Sequence, residues 1–286
     1  MDRGHWRFFQ HCHEPSEKTR LSETSLTRNP GMSTVRLFWY LASALLGVFL
    51  IILWDRAFNA RLISPVFVPS PAQAFYALID GWQTGDLAFL FRATLMRMIY
   101  GWLLASVVGV FLGALIGSSR WMQDYLGTTL EMLRPLPASA VIPVAIALFG
   151  LSDTMVLAVV AFGALWPVLL ATVHGFQRVE PRLFEVARVF NMSRLEFAWK
   201  IALPGALPEI LSGARLSLTA SLAMAIAGEM LVGVDGVGQW MLAAGRSFRS
   251  AEIFAGLILL ALIGITSSIL LDLFDRWILK WRRLQH

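Results

Sequence analysis

Residues 37–54 run without a charged side chain between Arg36 and Asp55. Comparable apolar runs recur at 98–119, 154–173, 210–232 and 253–271, the one at 210–232 holding Arg215 and Glu229. A helix needs about 20 apolar residues to cross the ~30 Å hydrocarbon core of a bilayer, where every backbone polar group must be satisfied internally. Runs of this length therefore predict an all-α polytopic membrane protein. The 286 residues suffice for about six transmembrane helices with short loops. Composition agrees, since 57% of the chain is hydrophobic and only 15% charged, against roughly 25% charged in a soluble domain. The net charge of +5 does not point to nucleic acid. Its Lys and Arg stand beside the apolar runs, where they fix orientation and meet anionic headgroups of membrane lipid.

Between the second and fourth spans the signal is broken. Over 121–149, Glu131 and Arg134 interrupt the apolar run, and Pro135, Pro137 and Pro143 are expected to kink any helix. Irregular backbone at membrane depth is tolerated only where protein or a water-filled path surrounds it. Arg134, Pro135, Pro137 and Pro143 are thus candidates for lining a route through the membrane, with packing against a second copy as the alternative. Ser217, Thr219, Ser221 and Glu229 on the fifth span join them. An ionisable residue in a span is a functional candidate by default, although Glu229 near an outer end needs no such role. Gly109, Gly113 and Gly117 give the second span a face on which another helix can approach closely. Arg97 just before it is expected to snorkel at the outer end, with holding an anion as a second reading.

Residues 1–34 are polar, with a turn signal at Asn29, Pro30 and Gly31, and predict a poorly ordered tail. His11, Cys12, His13 and Glu14 lack a second ligand cluster, so no metal is expected there. The only cysteine rules out an intrachain disulfide. The loop from Gly233 to Gly238 is rich in glycine but has no Walker lysine. No nucleophile elbow, nucleotide motif or paired carboxylate in a span points to an enzyme, and no cofactor is expected on this chain.

Positive charge sets the orientation. It gathers in the tail (Arg3, Arg7, Lys18, Arg20, Arg28, Arg36), around residues 178–215 (Arg178, Arg182, Arg188, Arg194, Lys200, Arg215) and at the C-terminus (Arg276, Lys280, Arg282, Arg283). The alternate loops hold the smaller set Arg56, Arg61, Arg92, Arg97, Arg246 and Arg249. Cytosolic loops carry the excess, so both termini and the region between the fourth and fifth spans are expected inside.

That region holds one polar stretch, residues 184–208. Phe184, Ala187, Val189 and Phe190 alternate at helical spacing with Glu185, Arg188 and Arg194. A break at Asn191, Met192 and Ser193 precedes a second helical run over 194–203, which Pro204 is expected to stop. Glu185-Val186-Ala187, then Asn191, then Ile201-Ala202-Leu203-Pro204 resembles the Glu-Ala-Ala…Gly…Ile-x-Leu-Pro pattern of the permease subunits of bacterial ABC importers. Val186 stands for an Ala and adds two methyl groups to a contact face. Asn191 stands for the Gly, a mild change because Asn visits left-handed backbone angles more readily than any other non-Gly residue. Pro69-Ser70-Pro71 ahead of a short helix resembles the sulfonate/nitrate/taurine branch. Thr94 with Arg97, Ala227-Gly228-Glu229-Met230, Gly236-Val237-Gly238 and residues 272–281 extend the likeness.

The resemblance implies the type I permease fold over 35–286 and a multi-pass place in the bacterial cytoplasmic (inner) membrane. It implies three partners: a cytosolic ABC ATPase dimer that binds ATP and Mg, a second copy of this chain and a periplasmic solute-binding protein. It further implies that the hairpin at 184–208 seats in a groove of the ATPase and converts its closure into alternating access of the spans. Glu185 would be the polar anchor, Ala187, Val189 and Phe190 the apolar contact, with Val186, Asn191, Ile201, Leu203 and Pro204 completing the coupling element. Family members carry sulfonates, taurine, nitrate, bicarbonate or heterocyclic vitamin precursors, and an anion is the expected solute. The rival reading is an ion-gradient-driven secondary transporter, which predicts charges near mid-span and usually an internal repeat. Spans one, two, four and six have charge-free centres.

Overall fold

The computed structural model describes residues 31–61, 64, 66–133 and 138–279. Most of the expected tail, with His11 to Glu14, lies outside those residues, as do Arg134, Pro135, Pro137, Lys280, Arg282 and Arg283. All regular structure among the described residues is helical. Contacts divide the chain at Arg56. The first unit contains nearly all of α1 (Gly31–Asn59), a helix apolar on all sides. Phe38, Trp39, Leu45 and Phe49 each expose more than half of their surface, as expected of a helix solvated by lipid.

The second unit opens with α2 (Pro71–Gln83). Ser70 caps it, accepting from Gln73 N–H (3.2 Å) while Ser70 N–H donates to Gln73 Oε1 (3.0 Å). Next come α3 (Asp86–Gly117), α4 (Arg120–Leu133), α5 (Ile142–Phe149) and α6 (Asp153–Gln177). Then follow α7 (Pro181–Val189), α8 (Arg194–Phe197), α9 (Leu203–Val232), α10 (Val237–Arg246) and α11 (Ser250–Ile278). Among the described residues 5 helices are long and apolar enough to span: α1, α3, α6, α9 with its lead-in from Leu195, and α11. The broken passage is α4, a 3-10 turn at Ala138–Val141 and α5. Pro143 sits in the first turn of α5, where a missing N–H costs nothing, so it starts that helix and does not kink it.

α3, α6 and α9 form the core, through buried Met98, Val156, Val160, Ala164, Val168 and Ala225. The glycine face of α3 lies on α6. A Cβ added at Gly113 would stand 2.6 Å from Thr172 Cβ and 2.8 Å from the Leu169 carbonyl oxygen, and one at Gly117 2.7 Å from Phe176 Cβ. In lipid, where apolar burial drives nothing, such close backbone packing is what holds helices together. Gly175 of α6 meets Ala206 of α9 in the same manner, with 2.9 Å between that Cβ and the would-be one.

Two further expectations fail. Pro204 does not stop the hairpin's second helix, because helical backbone continues from Arg194 to Val232. A proline removes the i−4 hydrogen bond and its ring strikes the carbonyl one turn back. Here a π turn at Ala198–Ala202 widens the coil just before the ring, and Leu203 N–H reaches back to Ala198 O. The expected loop 233–238 is shorter than read, because Val237 and Gly238 already belong to α10, a helix not expected from the sequence. Its buried Val237, Gly238, Met241 and Ala244 follow helical spacing, but the helix is short and opens on glycine.

Candidate functional site

The hairpin between α6 and α9 is built from local signals. α7 ends in a left-handed residue, Asn191, with φ of 49°. Asn191 N–H donates to Arg188 O (3.0 Å) and Met192 N–H to Ala187 O (2.9 Å). This crossed pair satisfies carbonyls that the helix end leaves free, and it needs a residue tolerant of positive φ. α8 then opens with a reciprocal cap that the sequence reading missed. Glu196 N–H donates to Ser193 Oγ (3.2 Å), and Ser193 N–H donates to Glu196 Oε2 (3.0 Å). Lys200 Nζ adds a 3.2 Å bond to Glu196 Oε1. The rings of Phe184 and Phe197 lie 4.4 Å apart between centroids and tie the two helices together. At the base, Arg178 pairs with Glu209.

The face this leaves open is apolar. Val189 is 79% exposed, Phe190 74%, Leu195 69% and Trp199 66%. Glu185 and Val186 are exposed beside them. Ala187 departs from expectation: at 6% exposure it is turned into its own chain and cannot supply an apolar contact to a partner. Leu195 and Trp199 are the exposed apolar residues instead, and their i, i+4 spacing is the signal that marks them. Ile201, Leu203 and Pro204 are half-buried. Leu203 packs on the cluster of Phe176, Val179, Ala202, Ala206 and Ile210, which joins the hairpin to α6 and α9. The hairpin is thereby joined to two membrane helices through continuous backbone and packed side chains.

The residues named for a route are distributed otherwise. Ser217 Oγ donates to Ala164 O (2.6 Å) and Ser221 Oγ to Leu218 O (2.7 Å), both fully buried, so these hydroxyls face protein. Thr219 and Pro143 are exposed. Glu229 is 0% exposed and sits in a clasp at the end of the bundle remote from the hairpin. Its Oε2 accepts from Thr94 Oγ1 and Gly238 N–H, each at 3.0 Å, and its Oε1 accepts from Arg97 Nη1 at 2.9 Å. Arg97 does not snorkel away. It also donates to Asp235 O (2.6 Å), and through Nε (3.0 Å) and Nη2 (2.6 Å) to Asp153 Oδ1 at the start of α6. A buried carboxylate needs such a paired cation, and removing one partner of such a pair costs about 3–5 kcal/mol. Beside the clasp lies a cleft of about 600 Å³ walled by Arg92, Arg97, Tyr100, Asp153 and Asp235.

Comparison with known proteins decides what this arrangement belongs to. The family model described as "binding-protein-dependent transport system inner membrane component" matches residues 105–284. The chain belongs to that family. It is a permease subunit of an ABC importer and a multi-pass inner-membrane protein. The permease is 32% identical to SsuC of Bacillus subtilis, named for aliphatic sulfonates transport, over 86% of this chain and 89% of that one. It is 33% identical to the nitrate import permease protein NrtB of Synechocystis, covering 72% of this chain and 77% of that one. With the taurine transport system permease protein TauC of Escherichia coli it shares 28% identity over 82% of this chain and 87% of that one. Its fold matches a chain of the methionine ABC transporter MetNI in an inward-facing conformation. The TM-score is 0.62 at 17% identity, covering 68% of the permease and 97% of that chain.

Proposed function

We propose that the permease moves a small oxoanion, of the sulfonate, nitrate or taurine class, from a periplasmic binding protein into the cytoplasm. Two copies of the chain form the path. The hairpin at 184–208 docks in a groove of a cytosolic ATPase that binds ATP and Mg and does the hydrolysis. Both termini and the hairpin are cytosolic in this reading, which the distribution of Lys and Arg supports. The observation that carries this reading is the exposed face of Val189, Phe190, Leu195 and Trp199 on a hairpin whose second helix runs unbroken into α9. An exposed apolar patch marks an interaction site, and a rigid helix passes on motion that a loose loop would absorb. The solute class is supported by the names of the relatives, which refer to aliphatic sulfonates, nitrate and taurine.

Co-reconstitution tests it. The permease, its ATPase and its binding protein in proteoliposomes are supplied in turn with taurine, ethanesulfonate and nitrate. Uptake of one of these should require ATP and the binding protein, and should survive collapse of the proton gradient. Uptake that persists without ATP and stops with the gradient would replace this reading with a secondary transporter.

A further inference from the structure

Glu229 does more than neutralise Arg97, and Thr94 works with it. α10 begins at Val237 behind Gly236, which brings no capping side chain. The first N–H groups of a helix have no partner within it. Here other helices supply the acceptors: Val237 N–H donates to Thr94 Oγ1 of α3, and Gly238 N–H to Glu229 Oε2 of α9, each at 3.0 Å. Thr94 is oriented for this by its own hydroxyl bond to Glu229 (3.0 Å). A Cβ at Gly236 would overlap the Glu229 carboxylate, and one at Gly238 would stand 2.7 Å from Ile226 O. Only glycine lets the start of α10 come so close. The link at 233–235, held from the other side by Arg97 on Asp235 O, is one wall of the cleft of about 600 Å³. The remaining walls come from α3 and α6.

We propose that Thr94 and Glu229 are positioning residues for solute delivery. By capping α10 from two membrane helices they fix the 233–235 wall in place, and the rim of the cleft so shaped docks the solute-loaded binding protein. The chemistry of the rim selects that occupant. Arg92, Asp153 and Asp235 are exposed there, with Asp153 showing 73% of its side chain. Charges of both signs are costly against lipid hydrocarbon but suit the rim of a soluble partner's interface. The inference rests on the orientation proposed above, which puts this end of the bundle outside. It also gives the clasp a role in transport: wall and hairpin share α9, so displacement at one end reaches the other.

Thr94→Val removes both hydroxyl bonds at nearly constant volume, and Thr94→Ser keeps them. The assay is ATP hydrolysis by the reconstituted complex, titrated with the binding protein loaded with whichever of taurine, ethanesulfonate or nitrate drives uptake. For Thr94→Val the half-saturating concentration should rise about tenfold, the worth of one or two lost hydrogen bonds, with Thr94→Ser restoring the wild-type value. A Thr94→Val complex that assembles poorly but saturates at the wild-type concentration would reduce Thr94 to a folding role and overturn the proposal. Should Thr94→Val not assemble, Asp235→Cys in a Cys12→Ser background settles the matter. A membrane-impermeant photoreactive thiol reagent should label the introduced thiol from outside and cross-link it to the loaded binding protein. Labelling from outside without a cross-link overturns the docking surface alone. Labelling solely from inside overturns the orientation, and the proposal with it.

Discussion

Replacing Asn191 by valine attacks the hairpin turn without touching a membrane helix. Asn191 holds φ at 49°, where a side chain with a Cβ meets its own carbonyl. That region costs an ordinary residue about 1–2 kcal/mol, and a β-branched residue stands at the unfavourable end. Asn escapes most of this cost; Val does not. If the turn relaxes, the bonds from Asn191 N–H to Arg188 O and Met192 N–H to Ala187 O open with it. The open face then loses its angle, since Val189 and Phe190 precede the turn and Leu195 and Trp199 follow it. A difference of about 1.4 kcal/mol is tenfold in the population of the native turn. ATP-driven uptake per assembled complex should fall by about that factor in Asn191→Val. Asn191→Gly should match or exceed the wild type, because glycine adopts the same φ at no steric cost. Equal uptake by the valine and glycine variants would refute the claim that this turn sets the docking angle.

Other changes test separate links. Gly113→Leu forces a side chain against Thr172 and the Leu169 carbonyl; overpacking costs about 1–3 kcal/mol or more, so thermal unfolding in detergent should start lower. Gly47→Leu, with nothing within 4 Å of the added carbon, should leave it unchanged. Ser193→Ala removes the cap of α8 and should cost about 1 kcal/mol, read as faster amide exchange over 194–197 with the spans unaffected. Glu185→Lys should leave folding and self-association intact while abolishing ATP-coupled uptake; normal uptake would remove Glu185 from the coupling element.

The spans were legible because length and apolarity alone decide them in a bilayer. The hairpin turn was legible too, since Asn between two amphipathic runs announces a left-handed residue. Pro204 misled for a physical reason. Its usual effect is real, but a π turn five residues long absorbs it, and no local pattern announces that turn. Ala187 misled because a contact face inferred from helical spacing does not say which neighbour it contacts. The Glu229 clasp was out of reach: its partners lie 132 and 135 residues away, at Arg97 and Thr94. Glycines 236 and 238 read as part of a Gly-rich loop, yet the Glu229 carboxylate leaves no room for a Cβ at the first and the Ile226 carbonyl leaves none at the second.

The central claim, that an ATPase drives this permease through a cytosolic hairpin, is tested most directly at Ser193. In a Cys12→Ser background, Ser193→Cys is treated with an impermeant thiol reagent in right-side-out and inverted membrane vesicles. Labelling confined to inverted vesicles, and slowed when the ATPase is bound, is the predicted result. Labelling of right-side-out vesicles would put the hairpin in the wrong compartment and contradict the account.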